Sequence, residues 1–146
     1  MPAFIQIITG ELEALCRATS SDFSALSFAP NHEPRIRWKY AFGNRSERYK
    51  QMVVKPGLGP GGLTLRTGKT TRWTDFPAAR PGLPMECPLV ASELLHAAAA
   101  VPITMRETVY GVLLIARRSA EAYADSDIDT LYQHVQTLQS LLEPTL

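Results

Sequence analysis

Cysteine is scarce in this chain. Cys16 and Cys87 are its only two, and they lie far apart. Neither the cysteines nor the three histidines show metal-ligand spacing, so a zinc ribbon and a Cys-x-x-Cys redox motif are both excluded. Two cysteines allow one disulfide. The opening Met1-Pro2-Ala3-Phe4 has no basic stretch ahead of an apolar block, so the sequence shows no export signal. The expectation is therefore two reduced thiols in a cytoplasmic protein. No apolar run reaches the roughly 18 residues a membrane span requires. Charge of one sign is lacking too: 15 Lys and Arg stand against 14 Asp and Glu, for a formal net charge of +1. The longest basic cluster is the pair Arg117-Arg118. Nothing in that balance calls for nucleic acid, an acidic membrane surface or a polyanionic substrate.

What is present suits one compact domain, residues 1–146. Hydrophobic residues make up 45% and charged residues 20% of the chain, an ordinary globular balance. Residues 3–19 carry Ile5, Ile8, Leu12 and Leu15 at spacings of three and four, which predicts a helix with one apolar stripe. Phe23 to Ala29 reads as a strand. After a turn at residues 30–34, Arg35 to Phe42 alternates, with Ile36, Trp38, Tyr40 and Phe42 expected on one face and Arg35, Arg37, Lys39 and Ala41 on the other. Residues 45–52 read as a short helix, and Val53-Val54 starts the next unit. The glycine-dense Gly57-Leu58-Gly59-Pro60-Gly61-Gly62-Leu63 leads into one or two helical turns over 63–68, closed by Gly68. A brief strand at 70–73, an irregular proline-rich stretch at 75–88 and a short helix at 91–95 follow. Two apolar strands, 97–104 and 108–115, are joined by Met105-Arg106-Glu107. Asp125 to Glu143 is a long helix whose Ile128, Leu131, Val135, Leu138 and Leu142 again step by three and four. Paired hairpins with helices predict an α+β fold on an antiparallel sheet.

Catalytic constellations are few. His32, His96 and His134 are scattered and read as structural or solvated. Ser92 and Glu93 near His96 form no nucleophile motif. Cys87 beside Pro88 is either an idle thiol or, at a helix start, an activated one. The glycine run lacks the GxxxxGK[ST] pattern, which excludes a P-loop. It is open between a tight turn and a helix entry that offers free N–H groups to a small anion. Trp38 is either a core aromatic or an indole donor turned toward a ligand. The stripes of the first and last helices either pack on the sheet or form a helical dimer seam.

The assembled pattern resembles the GAF domain family. The residues that carry the resemblance are the run Gly57–Leu63, then Arg66-Thr67-Gly68-Lys69-Thr70, then Trp73-Thr74-Asp75-Phe76. A second cue is Ala100-Val101-Pro102-Ile103 followed by Val109-Tyr110-Gly111-Val112-Leu113, which is similar to the family's final hairpin. The resemblance spans roughly residues 5–143. Within the family it is strongest to the stand-alone nitrate receptors of the Nre nitrate- and oxygen-sensing systems. It is carried there by Ile36-Arg37-Trp38-Lys39-Tyr40, Gly43-Asn44 and Ser46-Glu47-Arg48-Tyr49-Lys50.

The resemblance implies a central antiparallel sheet of five or six strands. The N- and C-terminal helices lie on one face and a ligand pocket on the other. It implies a sensor, not an enzyme, without cofactor or metal, that binds nitrate or a similar small anion and modulates a sensor histidine kinase; the homodimer is offered by the stepping of the two helix stripes. The implied donors are the Trp38 indole N–H, backbone groups near Gly61, Gly62 and Leu63, and a second helix start at Pro88, Leu89 and Val90. Two helix N-termini converging on an anion add a favourable term. Pro60 departs from this picture, because it has no N–H to give. The alternatives are a free methionine sulfoxide reductase of the same family, which places a cysteine in the glycine turn where this chain has none, and an interaction module without this ligand. The Asn-Lys-Phe-Asp-Glu motif of cyclic-nucleotide binders is absent.

Overall fold

The computed structural model describes residues 2–29, 36–74 and 87–145. The chain forms α1 (Pro2–Thr19), β1 (Phe23–Phe28), β2 (Trp38–Phe42), a short 3-10 turn (Arg48–Gln51), α2 (Gly59–Thr67), β3 (Thr71–Thr74), α3 (Pro88–Glu93), β4 (Ala97–Met105), β5 (Thr108–Arg117) and α4 (Asp125–Leu142). The five strands make one sheet in the order β2-β1-β5-β4-β3, and every neighbouring pair is antiparallel. The expected α+β architecture is present. The expected turn at 30–34 and most of the proline-rich stretch lie outside the described residues, as does His32.

Side-chain alternation along the strands divides the buried residues into two cores. Ala97, Ala99, Val101, Ile103, Leu113 and Ile115 face α1 and α4, where Ile8, Leu12, Leu15, Leu131, Val135 and Leu138 meet them. Ala98, Ala100, Val112, Leu114 and Ala116 face the other way, toward Trp38, Tyr49, Leu89 and Val90. A sheet covered on both faces explains why β4 and β5 are apolar throughout. The alanine run of β4 leaves room for a helix to come close: the Thr64 hydroxyl of α2 donates to the Ala100 carbonyl at 3.2 Å.

Most of each helix stripe is therefore consumed within the chain. Ile8, Leu12, Leu15, Leu131 and Leu138 are fully buried against its own sheet, while Ile5, at the N-terminal end of the first stripe, and Ile7 stay exposed. Among the described residues, a seam between two copies would have Ile5 and Ile7 of α1 and Tyr132 of α4 as its exposed large hydrophobics on these helices. His134 also belongs to the helix layer, its Nδ1 lying 2.6 Å from Glu11 Oε2 across the α1–α4 junction.

The strict alternation expected for residues 35–42 is broken. The register of β2 against β1 runs Ser24↔Phe42, Ala25↔Ala41, Leu26↔Tyr40 and then jumps to Ser27↔Trp38, leaving Lys39 as an extra residue. This is a β-bulge, and it swaps the faces on its two sides. Tyr40 and Phe42 pack with the helix-side core, whereas Trp38, Ile36 and Ala41 join the opposite one. Trp38 does not share a face with Tyr40 and Phe42. The bulge turns it toward the space under α2 and α3.

At the end of β5, Arg117 and Arg118 follow the same alternation. Arg117 is buried on the helix side, where its guanidinium donates to the carbonyls of Thr19 (2.6 Å) and Ser20 (3.1 Å) at the end of α1 and to those of Glu121 (3.0 Å) and Ala122 (3.1 Å). It also lies 4.0 Å over the Tyr123 ring. Arg118 turns to the other side, toward α3.

Candidate functional site

A cavity of about 340 Å³ lies on the sheet face opposite α1 and α4. Its volume is near the lower end of the ~300–1,000 Å³ usual for small-molecule pockets. Trp38 of β2 forms one wall, residues 51–55 and Leu58 another, Gly61 and Gly62 of α2 a third, and residues 87–90 at the start of α3 the fourth; Leu114 of β5 also lines it. The lining is mainly apolar, from Trp38, Met52, Val54, Leu58, Leu89, Val90 and Leu114. Trp38 is only 4% exposed. The Arg37–Val53 bridge, with the Val54 amide donating to the Ile36 carbonyl at 2.6 Å, lays the 51–55 segment beside β2 and so brings it to the cavity.

The glycine run is not the turn before a helix. It is the first turn of α2, which starts at Gly59 rather than at Leu63. Pro60 at an initial helical position suits that start, since its ring presets φ and its missing N–H would have had no helical acceptor. Gly59, Gly61 and Gly62 let neighbours close in, Gly62 most of all, since a Cβ there would lie 2.1 Å from the Lys55 carbonyl oxygen. A Cβ on Gly61 would lie 2.8 Å from the Trp38 ring, and one on Gly59 would lie 2.6 Å from the Cys87 sulfur. β2, α2 and the start of α3 therefore meet at positions where an added side chain would have to displace Trp38 or Cys87.

Both helices begin without a side-chain cap. The Gly61 amide falls in the first turn of α2, where the helix supplies no acceptor. At α3 the Leu89 and Val90 amides hold the same status, but Pro88 has no N–H. The Cys87 thiol stands in front of them. Burial pushes its pKa up, and the Val90 and Leu89 amides pull it only partly back. The thiol nevertheless makes no cap hydrogen bond. Cys16 belongs to α1, on the opposite side of the sheet, and its pKa is also raised by burial. Both cysteines are free thiols.

Of the residues singled out from the sequence, Trp38, Gly61, Gly62, Pro88, Leu89 and Val90 all line this cavity; Leu63 does not. Leu63 lies a full turn inside α2, so its amide is within reach of the helix's own carbonyls. The sequence reading passed over residues 51–55, Leu58 and Leu114 as lining. The apolar Val53-Val54 pair and the alternation of β5 are the signals that point to them. Among the described residues no group of histidines, cysteines or carboxylates is arranged to hold a metal ion. No helix among them is long and apolar enough to cross a membrane.

The comparisons with known proteins agree with this geometry. The family model for the GAF domain matches residues 4–143. The HTH-type transcriptional activator RamA of Corynebacterium glutamicum is 27% identical over 100 residues, covering 68% of this chain and 36% of that protein. The chain thus spans little more than a third of that relative's length. A NreA protein of Staphylococcus aureus, mutated in its nitrate binding site, is 29% identical with a TM-score of 0.69, covering 82% of this chain and 89% of that one. The free methionine-R-sulfoxide reductase of Neisseria meningitidis, solved with its substrate, has a TM-score of 0.75 at 16% identity, covering 96% and 78%. At that identity the likeness speaks for the fold alone.

Proposed function

The chain belongs to the GAF domain family, and from that premise we propose that its cavity is a sensor pocket for a small anion, nitrate first. Occupancy would be passed to a sensor histidine kinase of a two-component system. One observation carries the reading: Trp38 and the uncapped first turns of α2 and α3 border a single cavity. An indole N–H and backbone amides are neutral donors. They bind a monoanion by direction and shape, and among the described residues Lys55 on the 51–55 wall is the one charged residue of the lining. The likeness to the nitrate-binding S. aureus protein supports nitrate over other anions.

Calorimetric titration with nitrate, nitrite, chloride and sulfate tests this. Saturable binding of nitrate, with sulfate and chloride much weaker, is the expected result. Absence of nitrate binding at millimolar concentration would remove the ligand. For the output, nitrate should change the effect of this chain on kinase autophosphorylation, and an effect indifferent to nitrate would remove the kinase step.

A further inference from the structure

The Glu93 carboxylate is buried at the end of α3, with its side chain 1% exposed. Among the described residues its Oε2 has no hydrogen-bond partner. A buried carboxylate oxygen left unpaired is costly, and its presence demands an explanation. The other oxygen is heavily used. Oε1 accepts from the Arg45 backbone amide at 2.7 Å and from Arg118 Nη2 at 2.7 Å. The same Nη2 donates to the Gly43 carbonyl at 2.9 Å, and Arg118 Nε donates to the Glu93 carbonyl at 2.9 Å. Arg45 Nη1 returns to the Ser92 carbonyl at 3.0 Å. Three segments therefore meet on one oxygen: the end of α3, the turn after β2, and the end of β5.

Two of those segments lead into the cavity wall. α3 carries Leu89 and Val90. The turn after β2 runs through the 3-10 turn, with buried Tyr49, to residues 51–55. Six residues make too short a helix to hold its place unaided, so α3 depends on its tethers. We propose that Glu93 is a positioning residue for the cavity: an ionic latch that pins α3 to the turn after β2 and keeps the two walls closed over whatever the cavity holds. The unpaired Oε2 offsets part of what the bonds of Oε1 contribute to the latched state. The role in ligand retention rests on the sensor reading above. The closure itself does not.

The test therefore begins without ligand. In a Trp73→Phe background, acrylamide quenching reports on Trp38 alone, and hydrogen exchange is read at Ala91 and Leu95, whose amides donate to the Cys87 and Val90 carbonyls, against Ala99 and Ile115 of the sheet. Glu93→Ala should increase quenching and speed exchange at Ala91 and Leu95 by roughly tenfold or more, with the sheet amides unchanged. Glu93→Gln, which keeps one oxygen for the Arg45 amide, should restore part of the protection. If Glu93→Ala does not fold, Arg118→Met removes the other half of the latch and is read in the same way. A folded variant with unchanged quenching and exchange overturns the latch. Faster exchange spread equally over the sheet overturns it too, because it marks a global loss of stability. With nitrate added, an open wall for about nine-tenths of the time lowers apparent affinity about tenfold. Should the wild type bind no nitrate, the ligand reading fails while the closure result stands on its own.

Discussion

At the scale of single residues, Trp38 and Gly61 form one unit. Trp38→Phe keeps most of the apolar body and deletes the indole donor. A hydrogen bond to a charged group contributes about 1.5–3 kcal/mol, so nitrate affinity by calorimetry should fall by about one to two decades. Affinity equal to the wild type would make Trp38 a core aromatic only. Gly61→Ala should act through the same ring, because the added Cβ would displace an indole that it meets at 2.8 Å. The expected outcome is weaker binding with an intact fold by circular dichroism. The Cys87 thiol, raised above its ordinary 9.0 by burial, should alkylate more slowly than free cysteine at neutral pH. Its rate should climb as pH rises through and beyond 9.0, and nitrate should slow it further. The Cys16→Ser, Cys87→Ser double variant should bind nitrate as the wild type does. Thiol-dependent turnover of methionine sulfoxide by the wild type, lost in that variant, would replace the sensor with a reductase. Trp38 was legible in the sequence as a candidate donor because an aromatic in a strand is conspicuous. Its true face was not, because the residues around it alternate without a flaw and only pairing with β1 makes Lys39 the extra residue. Glu93 was legible only as an acid near His96, since its partners come from turns far away in sequence.

At the scale of elements, the long periodic ones and the short strands β1 and β3 are readable to within a residue or so, whereas the starts of the short helices α2 and α3 are not. α1, β5 and α4 are specified by stripes or apolar runs that their own burial explains. The start of α2 was misplaced because glycine and proline score poorly as helix formers, while the tolerance of a first turn for proline and the need for close approach at Gly59 and Gly61 are tertiary facts. The residue pattern alone starts α3 three residues late, at 91, for a related reason, whereas the family resemblance puts a helix start at Pro88, where α3 begins. The helix layer carries a large share of the stability. Leu12→Ala or Leu138→Ala, each deleting a fully buried side chain, should cost about 2–5 kcal/mol in denaturant titration. The junction of α1 with the loop before α4 is sensitive to alkali. The Tyr123 phenol is pushed far above its ordinary 10.0, chiefly by burial, and its oxygen lies 2.7 Å from the Ser21 hydroxyl. A raised acid is held protonated in the folded state. The stabilisation is therefore complete below pH 10 and is lost as pH rises above it, where the unfolded chain ionises. Tyr123→Phe should flatten the fall in melting temperature above pH 10 relative to the wild type.

At the scale of the whole molecule, ligand and fold are linked by mass action. Nitrate at about 100 times its dissociation constant should stabilise the protein by about 2.7 kcal/mol, and the rise in melting temperature should shrink in Trp38→Phe. The sheet itself has a further consequence. It acts as an insulator, with one core on each side and only backbone between them. Changes on opposite sides should therefore be independent: Leu89→Ala and Leu138→Ala should combine additively to within about 0.5 kcal/mol. Insulation of this kind lets the chamber be refitted for a different guest without disturbing the helix layer. It also means that news of an occupant cannot diffuse straight through and must travel around an edge. One crossing point is the end of β5, where adjacent arginines reach in opposite directions, Arg118 to α3 and Arg117 to the end of α1; another is the β3 edge, where Thr70 and Arg72 bond Tyr132 and Asp125 of α4. Nonadditivity between Glu93→Gln and a helix-side change should appear at the end of β5, next to Arg117, and be absent in the middle of the sheet.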